Sequence, residues 1–196
     1  MSWRTIFEKS KSAKALESKL NFRCVEHQNL PSTANTDVET KTINLDISQN
    51  ELKTALSFIY ELKNFENADK YHVLIGQARS CEISKSKFVH GMLTLEAEAM
   101  LFRTKAFKEM GLDDSEFPNN RAYLDIYNNN LDLSDQELIK LYKKHSQSNG
   151  VVRKQFAATK YYADSYKHHA EGTPFPIMYT ETNKSEVIMA EYSLTK

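Results

Sequence analysis

Two charged residues sit on what should be the apolar face of the longest helical segment. From Ser84 to about Met110, residues such as Phe88, Met92, Leu95, Ala99 and Phe107 recur at helical spacing. Glu96 and Arg103 fall inside that stripe. A carboxylate on a buried face must be paired, hydrogen-bonded or protonated. A carboxyl whose pKa is lifted by burial is suited to general acid or base work. Arg103 lies two turns further on, about 10.5 Å by helical rise, so an ion pair between the two is conceivable though stretched. The two read either as core residues satisfied by each other or by nearby backbone, or as an acid–base centre with Arg103 orienting Glu96.

The last helical segment carries a second polar stripe. Gln155, Tyr162, Tyr166 and His169 share one face with Val151 and Ala158. Tyr and His can bury their rings while their tips hydrogen-bond, so an interior helix explains the pattern. A pocket wall facing Glu96 explains it as well. On that second reading Glu96, Arg103 and His169 are the candidate catalytic residues, and Gln155, Tyr162 and Tyr166 the candidate binding residues, of a hydrolase-type proton-transfer site.

Other chemistries lack the necessary residue patterns. The six histidines include no HExxH, and Cys24 and Cys81 have no metal-ligand spacing, so no metal site is expected. No GxSxG elbow and no glycine-rich phosphate loop occur, so no nucleophilic serine and no nucleotide cofactor are expected. The 26 Lys and Arg balance 26 Asp and Glu, which leaves no cationic excess for a phosphate backbone and makes nucleic acid an unlikely partner. No apolar run is long enough for a membrane span or a signal peptide. The expected location is the cytoplasm, or export without a cleavable signal.

The elements that must position these residues can be read from periodicity. Helices are expected over 3–20, from Ser48 to beyond Leu62, over 69–81, from Ser84 to Met110, near 120–127, after Ser134, and from Val151 to about Ala170. Ser48 with Glu51, and Ser134 with Glu137, have capping-box spacing. Gly111 suits a C′ position. Strands are expected over 22–26 and 40–47, with a polar loop over 28–37 between them. Near the C-terminus 177–181 and 186–194 flank a polar turn and read as a hairpin. Five glycines and four prolines are too few for a turn-dense β-sandwich. The fold class is therefore α+β and predominantly helical. One domain spans 1–196, with about six helices and a small antiparallel sheet built from the N-terminal strands and the C-terminal hairpin.

Three stretches have an order seen elsewhere: Ile43–Ile47, then Tyr60-Glu61-Leu62-Lys63-Asn64, then Leu95-Glu96-Ala97-Glu98-Ala99. Over about residues 40–110 this resembles a degenerate metallopeptidase-like domain of secreted bacterial toxins and effectors. Such domains place a His-Glu pair and a second His on one helix and a Glu on a later one. Here Tyr60 and Asn64 stand at the two His positions, while Glu61 and Glu96 keep the expected type. The resemblance implies an effector or toxin context with the metal site lost. Helical phase puts Glu61 opposite Leu52, Leu56 and Ile59, on the solvent side.

The function expected from these features is that of an effector-like or accessory protein that acts by binding another protein, without metal chemistry. Neutral charge, ten Tyr and ten Phe, and the lack of a catalytic motif motivate it. An enzyme centred on Glu96 and an immunity-type inhibitor of another protein's active site remain open alternatives.

Overall fold

The computed structural model describes residues 1–118, 121–148 and 158–173. Among these are eight α-helices, one 3₁₀ turn and three strands. The expected C-terminal hairpin (177–181 and 186–194) and Gln155 lie outside the described residues.

The expected N-terminal helix is two short ones, α1 (Trp3–Phe7) and α2 (Lys11–Glu17). Ser10 divides them. Its N–H closes the last turn of α1 on Phe7 O at 3.0 Å, and its side chain caps α2 by accepting from Ala13 N. Three strands follow: β1 (Arg23–His27), β2 (Ala34–Asp37) and β3 (Thr42–Asp46). β2 occupies what reads as loop in the sequence, because Ala34-Asn-Thr-Asp is short and polar and carries no alternation of apolar residues.

The sheet order is β1-β3-β2, with β2 and β3 antiparallel and β1 and β3 parallel. This corrects the expected antiparallel sheet. β2 consumes one reversal of the chain, so β3 returns in the direction of β1 and slots between its two neighbours. Central placement explains why β3 is buried at four of its five positions. Its partly exposed Asn44 is bonded from both sides, to His27 Nε2 on β1 and from its own Nδ2 to Asn35 on β2, each at 2.9 Å.

Five further helices follow: α3 (Glu51–Glu66), α4 (Ala68–Arg79), α5 (Lys85–Glu109), α6 (Arg121–Asn128) and α7 (Asp135–Ser148). Asn50, not Ser48, caps α3, accepting from Lys53 N at 2.8 Å. Ser48 instead donates to Asp46, and the Ser-x-x-Glu spacing is idle. Ser134 and Glu137 do form their reciprocal cap, and Gly111 takes a positive φ of 66° past α5. The last helix, α8, spans Ala158–Glu171.

At 25 residues α5 is about 38 Å long, and three apolar clusters are strung along it. Its C-terminal end (Ala106, Phe107, Met110) packs with α1, α2, α3 and the sheet. Its N-terminal end (Phe88, Val89, Met92, Leu93) packs with α4 and α8. Its middle (Ala97, Leu101) packs with Tyr123 of α6 and Leu138 and Tyr142 of α7. No described helix is long and apolar enough to cross a membrane.

Candidate functional site

Glu96 lies near the middle of α5, where α3, α4 and α8 converge on that helix. The carboxyl group is enclosed although the residue as a whole keeps some exposed surface. Tyr60 of α3 donates its hydroxyl to Glu96 Oε2, and Tyr162 of α8 donates to Oε1. Tyr71 of α4 donates to Oε1 at 3.4 Å. One carboxylate thus accepts from three phenols on three helices. An ionised carboxylate has about four acceptor positions, so these donors fill most of them.

Burial raises the Glu96 pKa, and the Tyr162 hydrogen bond partly opposes this. The same burial, reinforced by the Glu96 charge, holds the Tyr162 hydroxyl well above its ordinary value. Tyr71 is raised by burial and then by the charges of Glu61 and Glu98. The cluster is therefore a set of buried acids whose burial favours their protonated forms. Chemically it can store or relay a proton; among the described residues no cation is bonded to it.

Glu61 is a second buried acid next to this cluster. It is only 9% exposed, which corrects the solvent-side placement expected from helical phase. The reason is β2, the strand absent from the sequence reading, which covers this face of α3. Thr36 on β2 donates to Glu61 Oε2 at 2.7 Å, and Asn64 donates to the same oxygen at 3.3 Å. Burial raises the Glu61 pKa against these two bonds.

The other expected site residues are dispersed. Arg103 makes no ion pair with Glu96 and turns to nearby backbone instead. Its guanidinium lies over the Phe117 ring with its carbon 5.4 Å from the ring centroid. One amino group donates to Pro118 O at 3.4 Å. Seven residues of helix separate the two Cα atoms by about two turns, and the side chains lean onto different neighbours. Tyr166 donates to Ile83 O at 3.1 Å, ahead of α5, and its ring packs on Phe88. His169 also packs on Phe88, and burial followed by the Arg79 charge lowers its pKa to about 4. Phe88 is eight residues from Glu96, about 12 Å along α5. Of the described residues of the expected stripe only Tyr162 therefore meets Glu96. Tyr60 and Tyr71 were missing from the candidate site; Tyr71 lay on the inward face of its helix, which was the available signal.

Among the described residues no group of three or more His, Cys, Asp or Glu could hold a metal ion. A concavity lies elsewhere on the molecule. A groove of about 820 Å³ runs between the α1–α2 segment and β1, lined by Trp3, Arg4, Glu17, Leu20, Phe22, Cys24, Val25 and Glu26. Arg4 is ion-paired with Glu17 at 2.6 Å, and Trp3 Nε1 donates to Glu26 at 2.9 Å. Burial, then the Glu26 charge, pushes the Cys24 thiol up to about 11, so it stays protonated at neutral pH.

β1 forms the rim of this groove as an edge strand. Arg23 N bonds Lys41 O and Ile47 N bonds His27 O. In a parallel ladder this phase turns the polar groups of Arg23, Val25 and His27 toward β3, and those of Cys24 and Glu26 outward. β3 is the one substantial neighbour of β1 among the described residues.

Compared with protein-family models, with curated proteins and with solved structures, the chain matches none.

Proposed function

We propose that the protein acts by binding another protein, through an extended peptide segment that adds to the edge of β1 that no other described strand pairs with. The observation that carries this reading is the outward-facing backbone of Cys24 and Glu26 beside an aromatic-lined groove. An unpaired strand edge offers ready hydrogen bonds, and a groove beside it selects alternate side chains. Trp3, Leu20 and Phe22 suit apolar side chains. Two carboxylates, Glu17 and Glu26, stand against the single guanidinium of Arg4, which favours a basic residue in the bound segment.

The test is selection of displayed random peptides on the full-length protein, followed by mapping of the bound site by amide chemical shifts. Binders should be extended, apolar at alternate positions and basic at one, and should shift residues 22–27. Cys24→Pro removes an outward N–H and leaves the β3 ladder whole, so it should abolish binding by a folded protein. Val25→Pro should instead damage the fold. No selected binder, or binders unaffected by Cys24→Pro and Trp3→Ala, would remove the reading.

A second reading, acid–base chemistry at Glu96, is supported by its enclosed carboxyl and by Tyr60, Tyr71 and Tyr162 around it. It requires a substrate to displace a phenol from the carboxylate. A hydrolase screen in which Glu96→Gln retains full turnover of any substrate found would exclude it.

A further inference from the structure

The two ends of β1 differ in charge. A second concavity, of about 400 Å³, opens at the start of the strand and is lined by Asn21, Phe22, Arg23, Thr40 and Lys41. Phe22 also lines the groove beside β1, so the two concavities adjoin. Arg23 N donates to Lys41 O at 2.8 Å, which holds the two residues side by side. Both are exposed. Lys41 keeps a positive φ of 52° in the turn between β2 and β3. Asp37, the carboxylate bonded to that turn, accepts from Thr40 N at 3.0 Å. Among the described residues neither the Arg23 guanidinium nor the Lys41 ammonium makes an ion pair or a hydrogen bond, and no carboxylate lines the concavity. At the other end Glu26 stands three residues on, about 10 Å along the strand, and Glu17 lines the same groove.

We propose that the segment added to β1 is the C-terminal tail of a partner protein, antiparallel to β1, with its free α-carboxylate held by Arg23 and Lys41. This rests on the β1-edge reading and names the ligand of that site. The charges set the direction. An antiparallel tail carries its carboxylate to the two cations, whereas a parallel one would bring its amino end there. In antiparallel pairing Cys24 and Glu26 each exchange both backbone bonds with one tail residue, so four main-chain bonds seat the tail. Cys24 is the first outward-facing residue of β1. Past it the added chain runs out of ladder, and its end is the group that reaches the concavity. There a guanidinium fork and a compact ammonium suit a carboxylate. A basic residue about four positions before the end would face Glu26.

The experiment compares two random decapeptide libraries on the full-length protein, one ending in a free α-carboxylate and one in a carboxamide. Binders should come from the free-acid library, and their amide shifts should extend from residues 22–27 to 40 and 41. The strongest binder is then made as acid and as amide. Amidation should weaken it about tenfold or more, because it removes a charge-assisted contact. In the Arg23→Gln, Lys41→Gln double variant, changed at two exposed positions, acid and amide should bind alike. Suppose instead that binders shift 22–27 and fail with Cys24→Pro, yet bind equally as acid and amide or depend on an internal Asp or Glu. The C-terminal assignment is then overturned while the β1-edge reading stands. If neither library yields a binder, both are overturned. The acid–amide comparison on the wild type decides the matter even if the double variant fails to fold.

Discussion

Tyr162 on α8 donates its hydroxyl to Glu96 on α5, and the two residues are 66 positions apart in the chain. Tyr60 of α3 and Tyr71 of α4 bond the same carboxylate, so a single acid side chain links four helices. Removing the shared acceptor strands three hydroxyls, whereas replacing it with an amide keeps an acceptor. Glu96→Ala should cost on the order of 3 kcal/mol in urea unfolding, and Glu96→Gln and Tyr162→Phe about 1 kcal/mol each. Wild-type stability in Glu96→Ala would show that the cluster does not hold these helices together.

The pH dependence has opposite signs at two places. Glu96 and Glu61 have folded pKa values raised above 4.5, chiefly by burial. Their contribution is fully present below 4.5 and is lost as pH rises through each folded value. The Glu61→Gln, Glu96→Gln double variant should therefore show a flatter stability profile above about pH 5 than the wild type. Equal slopes for the two proteins in chemical denaturation across that range would refute the assignment.

Asp46 works in the other direction. Its side chain is 1% exposed. Burial would raise its pKa, but hydrogen bonds from Gln49, Ser48 and the Asn29 N–H outweigh this and hold it at about 2. Its stabilising effect is present above 3.8 and fades as pH falls toward 2. Asp46→Ala should cost on the order of 2–4 kcal/mol at neutral pH by freeing these donors, and much less at pH 2. Thermal melts at both pH values check this; a loss of the same size at each would contradict it.

Glu109 at the end of α5 accepts from Ser10 Oγ at 2.8 Å and from Ser12 N and Oγ at 2.9 Å each. Ser10 also caps α2 and is completely buried. Ser10→Ala should cost about 1–2 kcal/mol through loss of the cap and of this link. Ser12→Ala, with the Ser12 N–H still bonded to Glu109, should cost less. Equal urea midpoints for the two variants would argue that the cap does not matter.

Helix α5 was legible because twenty-five residues of consistent period, a Ser cap and a terminal Gly all agree. The inward turn of Glu96 was legible for the same reason. Its partners were not. Periodicity reports which way a side chain faces along its own helix, and the phenols of Tyr60 and Tyr71 arrive from other helices. Glu61 was misread because its cover comes from β2, a four-residue polar strand with no pattern of its own. The parallel pairing of β1 with β3 follows from that same strand. Arg103 and Glu96 share a helical face, yet α5 meets different elements at each position, so one stripe serves two unrelated environments.

The length of α5 has a consequence for how the molecule comes apart. Each apolar cluster grips a different third of that helix, and α8 packs on the end away from the sheet and reaches the middle through the Tyr162–Glu96 bond. Detaching α8 would expose Phe88 and Met92 while leaving Phe107 and the strands enclosed. Native-state hydrogen exchange should then show graded opening, with amides at the Phe107 end of the rod exchanging last and those near Phe88 following the release of α8.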